Sequence, residues 1–119
     1  MNTIVVDKIH RHFQLWAYSV SMARLLLRRT KSETFNTRYD ILFQNVKALK
    51  LPTSFNGIIV EIAKPLEAEQ ILAEAGMLSF KKVFTIRSGI LNCYVIAGAC
   101  VTAEDAGEFF EPSCLWPEL

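Results

Sequence analysis

The sequence predicts an α+β fold in which a mainly antiparallel sheet of six or seven strands carries one helix. The stretch Phe13–Arg29 has the densest content of aromatic, β-branched and leucine residues, which favours strands. Residues Pro65–Ala75 carry helix start and stop signals. Short apolar runs separated by turn residues fill much of the remaining chain, as in an antiparallel sheet. The alternative is a closed or half-closed barrel with the helix as a lid.

The first half of the chain predicts strands joined by short polar links. A short strand at Thr3–Val6 precedes Phe13–Arg29, which reads as two strands with a bend at 21–23. Neither face of the first of these two strands is polar, so we expect it to be covered on both sides or paired at a subunit interface. An amphipathic strand follows at Tyr39–Phe43. For residues 46–51, periodicity does not decide between a strand and a helical turn.

The second half predicts a turn, two strands, a hairpin and a long central strand. The Asn-Gly pair makes Thr53–Gly57 a predicted turn before a strand at Ile58–Ala63. A strand at Phe80–Arg87 is followed by a tight hairpin at Ser88-Gly89. Ile90–Val101 is nearly all apolar and predicts a central strand, in which Gly98 marks a bulge or a close approach.

The helix at Pro65–Ala75 is predicted from both of its ends. Proline suits the first helical position, and Gly76 suits the C-terminal cap. An apolar stripe of period 3.6 should pack on the sheet; it comprises Ala68, Ile71, Leu72 and Ala75. Beyond the central strand, Thr102–Gly107 predicts a short helical turn, and the aromatic C-terminal tail is expected to dock on a surface.

Composition predicts one domain, residues 1–119, in a reducing compartment. Hydrophobic residues make up 51% of the chain, which predicts either an unusually complete core or apolar surface that a partner covers; we favour a homo-oligomer. No apolar run is long enough to cross a bilayer, and the N-terminus lacks the pattern of a signal peptide. Three cysteines without a CxxC motif are typical of reduced thiols, which predicts a cytoplasmic protein.

Charge is divided unevenly along the chain. Residues 1–60 hold nine basic and three acidic side chains, whereas residues 61–119 hold four basic and nine acidic ones. This asymmetry can steer a charged partner or align two protomers head to tail. If the two halves intertwine in one fold, however, the asymmetry along the sequence has no functional consequence.

Few residues are arranged as catalytic or metal-binding groups usually are. His10 and His12 have the only metal-like spacing, and two imidazoles alone are a weak motif. Cys93 with a histidine could form a nucleophile and a base, but no cysteine has a recognisable local signature. No phosphate-binding glycine loop or nucleophile elbow is present. We therefore predict no catalytic residue and no cofactor.

A cluster of basic and aromatic residues offers a nucleic-acid hypothesis. Arginine and lysine beside exposed aromatic rings bind single-stranded nucleic acid through phosphates and stacking. The overall pI of about 7.7 is below that of a dedicated binder, and charged strands also protect sheet edges. The cluster comprises Arg24, Arg28, Arg29, Lys31, Trp16 and Tyr18.

Two segments follow a pattern that we recognise. Tyr18–Arg28 matches Y-x-V-S-H-x-x-L-L-L-R, and Asp40–Val46 matches D-[IVL]-x-F-x-x-V. Through these two motifs, the first half of the chain resembles a family of small uncharacterised bacterial proteins. Met22 stands where the family pattern has a histidine, so no role of that histidine carries over. The resemblance implies no activity.

The sequence thus leads to three functional hypotheses. The first is a non-enzymatic protein-interaction module that forms a homo-oligomer or binds another protein. The second is a nucleic-acid-binding domain that uses the basic and aromatic cluster. The third is a small enzyme with a pocket between helix and sheet, which requires polar groups that converge on a cavity.

Overall fold

Eight strands form one antiparallel sheet, and one helix lies on it, within the residues that the computed structural model describes: 3–31, 36–77, 82–89, 91–108 and 111–117. Side chains are described from residue 12 onwards, except at residue 91. The elements are β1 (Thr3–Ser19), β2 (Arg24–Arg29), β3 (Arg38–Gln44), β4 (Ala48–Lys50), β5 (Ser54–Ile62), α1 (Pro65–Ala75), β6 (Lys82–Ser88), β7 (Leu91–Ala97) and β8 (Ala99–Asp105).

The strand order across the sheet is β4-β7-β6-β5-β1-β2-β3-β8, and every neighbouring pair is antiparallel. Within the described residues the two outermost strands, β4 and β8, are not paired with each other, so the sheet is not closed. However, β4 follows β3 after three residues, and β8 follows β7 after Gly98 alone. The peptide N–H groups of Gly98 and Lys47 donate to the carbonyls of Gln44 and Ile96 at 2.9 and 2.8 Å. These bonds join the β3–β8 pair to the β4–β7 pair.

One face of the curved sheet encloses the main apolar core. Side chains from six strands meet there, because alternate residues of each strand point to the same face. The aromatic rings of Phe43 and Phe84 pack edge to face with centroids 5.5 Å apart. The fully buried core members include Phe13, Leu25, Leu27, Ile41, Phe43, Val60, Phe84, Ile86 and Val95.

The outer side of the sheet is covered in two places. The helix packs its stripe of Ala68, Ile71, Leu72 and Ala75 on Val83, Tyr94 and Ile96 of β6 and β7; we call this outer surface of β4, β5, β6 and β7 the helix face. Residues 106–108 and 111–117 lie on the outer surface of β2, β3 and β8, which we call the tail face. There Trp116 is buried against Leu26 and Leu42. The predicted docking of the aromatic tail is therefore confirmed for Trp116, while Phe109 and Phe110 lie outside the described residues.

The α+β prediction is confirmed, with eight strands in place of the expected six or seven. Helix α1 has the predicted bounds, and Gly76 caps it in the left-handed conformation at φ 70°. Residues 46–51, for which periodicity did not decide between a strand and a helical turn, contain the strand Ala48–Lys50. The predicted close approach at Gly98 is also confirmed, because a Cβ there would lie 3.1 Å from the Cβ of Asn45.

Four local predictions are wrong. The one central strand predicted at Ile90–Val101 is divided at Gly98 into β7 and β8, and β8 is an outermost strand; Ile90 lies outside the described residues. Asn56-Gly57 lies within β5 and not in a turn; Gly57 does adopt positive φ, at 79°, where the pairing of β5 with β1 shifts register. The separate strands predicted at 3–6 and from Phe13 are one strand of 17 residues. The helical turn predicted at Thr102–Gly107 is mostly strand, because β8 continues to Asp105 opposite Arg38.

Candidate functional site

The floor of a pocket between α1 and the sheet is built from two rows of side chains on the helix face. Paired residues of neighbouring strands share a face, so the register places Lys50, Tyr94 and Thr85 side by side across β4, β7 and β6. Asn92 and Arg87 form the next row. This arrangement could not be predicted from local sequence patterns, because β7 lies between β4 and β6 in the sheet.

The wall of this pocket is one side of α1. Glu67, Gln70, Ile71 and Glu74 follow the i, i+3, i+4, i+7 spacing and therefore lie on one side of the helix. Together with the floor they surround a cavity of about 450 Å³, within the range of small-molecule sites. We call this cavity the polar pocket.

Ion pairs stand at two ends of the polar pocket. Lys50 Nζ lies 3.4 Å from Glu74 Oε1, and both side chains are more than half exposed. Arg87 lies 3.3 Å from Glu61 and 3.7 Å from Glu67, and it is about half exposed. These separations exceed the 2.7–2.9 Å or so of a strong charge-assisted hydrogen bond, so the pairs are loose.

Burial sets the ionisation of the neutral groups at the pocket. It raises the pKa of the Tyr94 phenol, and hydrogen bonding to Glu74 raises it further. Burial likewise raises the pKa of the Cys93 thiol, although nearby Lys50 lowers it slightly. Both groups therefore stay protonated at neutral pH. The Tyr94 side chain lies on the helix face and can offer its hydroxyl to a ligand, whereas the Cys93 side chain packs in the main core. A nucleophilic cysteine would also require a lowered pKa.

The basic cluster predicted for nucleic acid is largely turned toward the protein itself. The Arg28 guanidinium is fully buried and donates to both carboxylate oxygens of Asp40, at 2.7 and 3.1 Å. Arg29 is buried with Nη2 3.3 Å from Glu104, and Lys31 Nζ lies 3.0 Å from Glu108.

The aromatic members of that cluster are also engaged. A bulge in β1 between Leu15 and Ala17 sets Trp16 on the outer side, where the Arg28 guanidinium stacks 5.1 Å from its ring centroid. Arg24 stacks on Trp116 at 5.7 Å. Tyr18 alone among the six predicted residues is classed as exposed. The structure thus brings Trp16 and Arg28 together, and nucleic-acid binding stays a prediction.

Sequence reasoning did not single out Arg38, whose side chain donates five hydrogen bonds within the described residues. Its guanidinium donates to both carboxylate oxygens of Asp105, at 2.7 and 3.2 Å. It also donates to the carbonyls of Glu108, Glu111 and Pro112, at 2.9, 2.6 and 3.0 Å. Arg28 reaches the same Glu111 carbonyl at 3.1 Å. The two arginines therefore hold the C-terminal tail on the tail face.

The turn between β1 and β2 carries exposed apolar side chains. Tyr18, Val20 and Met22 are 44%, 83% and 41% exposed, and we call these three residues the apolar tip. Ser19 Oγ accepts a hydrogen bond from the Met22 N–H at 3.2 Å, and Ala23 closes the turn at φ 52°. The bend predicted at 21–23 is confirmed, but its exposure could not be read from the sequence.

The remaining candidate residues form no cluster in the described part of the chain. His12 is exposed, with Nδ1 3.1 Å from Asn56 Oδ1, while the side chain of His10 lies outside the described residues. Within the described side chains, no group of three or more possible metal ligands occurs. Burial raises the pKa of Cys100 to about 12, and Cys114 is exposed. The metal hypothesis for His10 and His12 stays a prediction.

Comparison with protein-family models, curated proteins and solved structures gave no match. The resemblance to small bacterial proteins therefore stays a prediction. In the described chain α1 is the only helix, and with eleven residues it cannot reach across a bilayer.

Proposed function

We propose that this chain is a non-enzymatic protein-interaction module that associates with a second copy of itself through the apolar tip. The observation that carries the proposal is the exposure of Tyr18, Val20 and Met22 within one turn. Apolar side chains that gather on a surface commonly mark an interface. Val20 is the centre of the patch, because it is the most exposed large hydrophobic residue in the described chain.

A second copy suits this patch because the tip has no charge. No ionisable side chain occurs from Ser19 to Ala23, so two identical tips can meet across a two-fold axis without like-charge repulsion. Charge asymmetry gives less support to a head-to-tail contact. Arg29, Arg38 and Lys50 already form ion pairs with carboxylates of the second half of the same chain.

The expected association is weak. Interfaces that bury less than about 1,200 Å² in total belong to transient complexes, and three partly exposed side chains provide a contact of that class. We therefore expect a monomer–dimer equilibrium that depends on protein concentration.

Light scattering after size-exclusion chromatography, over a series of protein concentrations, tests this proposal. The average mass should rise with concentration for the native protein and stay at the monomer mass for Val20→Glu. Leu66→Glu is the matched control, because Leu66 is 69% exposed on α1 and lies outside the tip. A native protein that remains monomeric at millimolar concentration would refute the proposal, as would equal effects of the two variants.

A further inference from the structure

The polar pocket between α1 and the sheet has features of a ligand site that the association through the apolar tip does not use. Its floor includes the buried Thr85 and Tyr94, whose positions are fixed by strand pairing. Its wall is a regular helix capped at Gly76. Groups on such regular elements are held in place before a ligand arrives, which lowers the entropy cost of binding.

The charges of the pocket restrict what it can bind. A simple anion attracted by Lys50 or Arg87 is repelled by the neighbouring Glu74 or Glu67. A simple cation attracted by either glutamate is likewise repelled by the neighbouring lysine or arginine. A molecule with one charge of each sign can satisfy an arginine at one end and a glutamate at the other. Each charged end of the ligand then meets an opposite charge, while Lys50 and Glu67, which lose their partners, are exposed to water.

The loose ion pairs make this exchange favourable. Arg87 lies 3.7 Å from Glu67 and 3.3 Å from Glu61, and Lys50 lies 3.4 Å from Glu74, with these side chains 30–58% exposed. Exposed pairs of this kind contribute about 0–1 kcal/mol each, so a ligand loses little by separating them. An arginine can then hold a carboxylate with two parallel hydrogen bonds.

The distance between the two ends indicates the length of the ligand. Lys50, which pairs with Glu74, marks one end of the pocket, and Arg87 marks the other. Lys50 and Arg87 are two strands and two residues apart, which separates their Cα atoms by roughly 12 Å. Two or three extended residues span about 7–11 Å. We propose that the polar pocket binds a di- or tripeptide with free termini, with its carboxylate on Arg87 and its ammonium group on Glu74.

Neutral groups between the two ends complete the site. The Tyr94 hydroxyl, protonated at neutral pH, and the Asn92 side-chain amide lie on the floor. Gln70 faces them from the helix. These groups can bond to the peptide groups of the ligand, while Ile71 contacts an apolar side chain.

Titration of ¹⁵N-labelled protein with trialanine, followed by NMR, tests the proposal. We expect saturable shifts at the amides of Arg87, Asn92 and Glu74. Trialanine blocked at the amino end, at the carboxyl end or at both should bind at least about tenfold more weakly. Shifts that are equal for free and doubly blocked peptide, or no shifts at millimolar peptide, would overturn the proposal.

Variants of the polar pocket test separately how each end of the peptide is bound. Arg87→Gln should abolish the preference for a free carboxylate, and Glu74→Gln the preference for a free ammonium group. Lys82→Gln on β6 and Glu69→Gln on α1 are matched controls, because both residues are exposed and lie outside the pocket lining. If the controls weaken binding as much as the pocket variants do, the site is not the polar pocket. Because these measurements do not involve the apolar tip, failure of self-association leaves this test intact.

Discussion

The tail face and the helix face hold their ion pairs in opposite ways. On the tail face, Arg28–Asp40 and Arg38–Asp105 are joined at 2.7 Å, and both arginines are buried. On the helix face, the ion pairs of Lys50 and Arg87 are 3.3–3.7 Å long and substantially exposed.

The difference indicates which charged side chains stabilise the fold and which remain accessible to a ligand. A buried ion pair already has its partners in place, and removing one of them leaves a charge without compensation. An exposed and loose pair contributes little to stability, so its members remain available to another molecule. The tail face is therefore suited to stabilising the fold, and the helix face to the ligand binding proposed above.

The largest expected effect is on the tail face. Asp40→Ala should lower the free energy of unfolding by about 3–5 kcal/mol, because it leaves the buried Arg28 guanidinium without its carboxylate. Urea denaturation followed by circular dichroism measures the loss. The double variant Arg28→Met/Asp40→Leu should recover much of it, since no buried charge then remains. If Asp40→Ala costs less than 1 kcal/mol, the contrast between the faces disappears.

Trp116→Ala should have the next largest effect. It removes the side chain that fills the space over Leu26 and Leu42, and we expect a loss of up to about 3 kcal/mol because the tail can partly collapse into the gap. Urea denaturation gives the value. Pro117→Ala, which changes an exposed neighbour, is the control. Equal stability of the two variants would mean that the tail is not docked in solution.

Acid should weaken the tail face through Asp105. Hydrogen bonding to Arg38 lowers the pKa of this carboxyl from its usual 3.8, so the folded state favours the ionised form. The resulting stabilisation is present above the unfolded pKa and is lost as the pH falls through the lower folded pKa. Denaturation curves between pH 2 and 6 should show a smaller acid dependence for Asp105→Asn than for the native protein. Identical pH profiles would contradict this account.

The smallest effect is expected on the helix face. Glu74→Gln should change the free energy of unfolding by about 0–1 kcal/mol, because Glu74 and Lys50 are both more than half exposed. The same urea experiment measures it, with Glu69→Gln as control. A loss as large as that of Asp40→Ala would show that the helix face is held together like the tail face.

The sequence predicts what depends on neighbouring residues. Helix α1 follows from proline at its start, glycine after its end and an apolar stripe between them, all within twelve residues. The close approach at Gly98 was likewise predictable from an isolated glycine inside an apolar run.

Features that depend on strand register were not predictable. Arg28 looks like part of a basic surface in the sequence, yet the pairing of β2 with β3 sets it directly opposite Asp40. The pairing of β3 with β8 brings Arg38 to Asp105 across 67 residues. The polar pocket requires β4, β6, β7 and α1 together, so no local pattern could indicate it.

The continuity of β3 with β4 and of β7 with β8 has a consequence for the way this sheet opens. Each outermost strand is joined to an inner one through at most three residues, and backbone hydrogen bonds link the two connections. We expect the backbone amides of 38–50 and 91–105 to exchange with deuterium as a single cooperative unit, near the rate of global unfolding. If these segments open only together, proteases should cut 38–50 and 91–105 no faster than global unfolding allows.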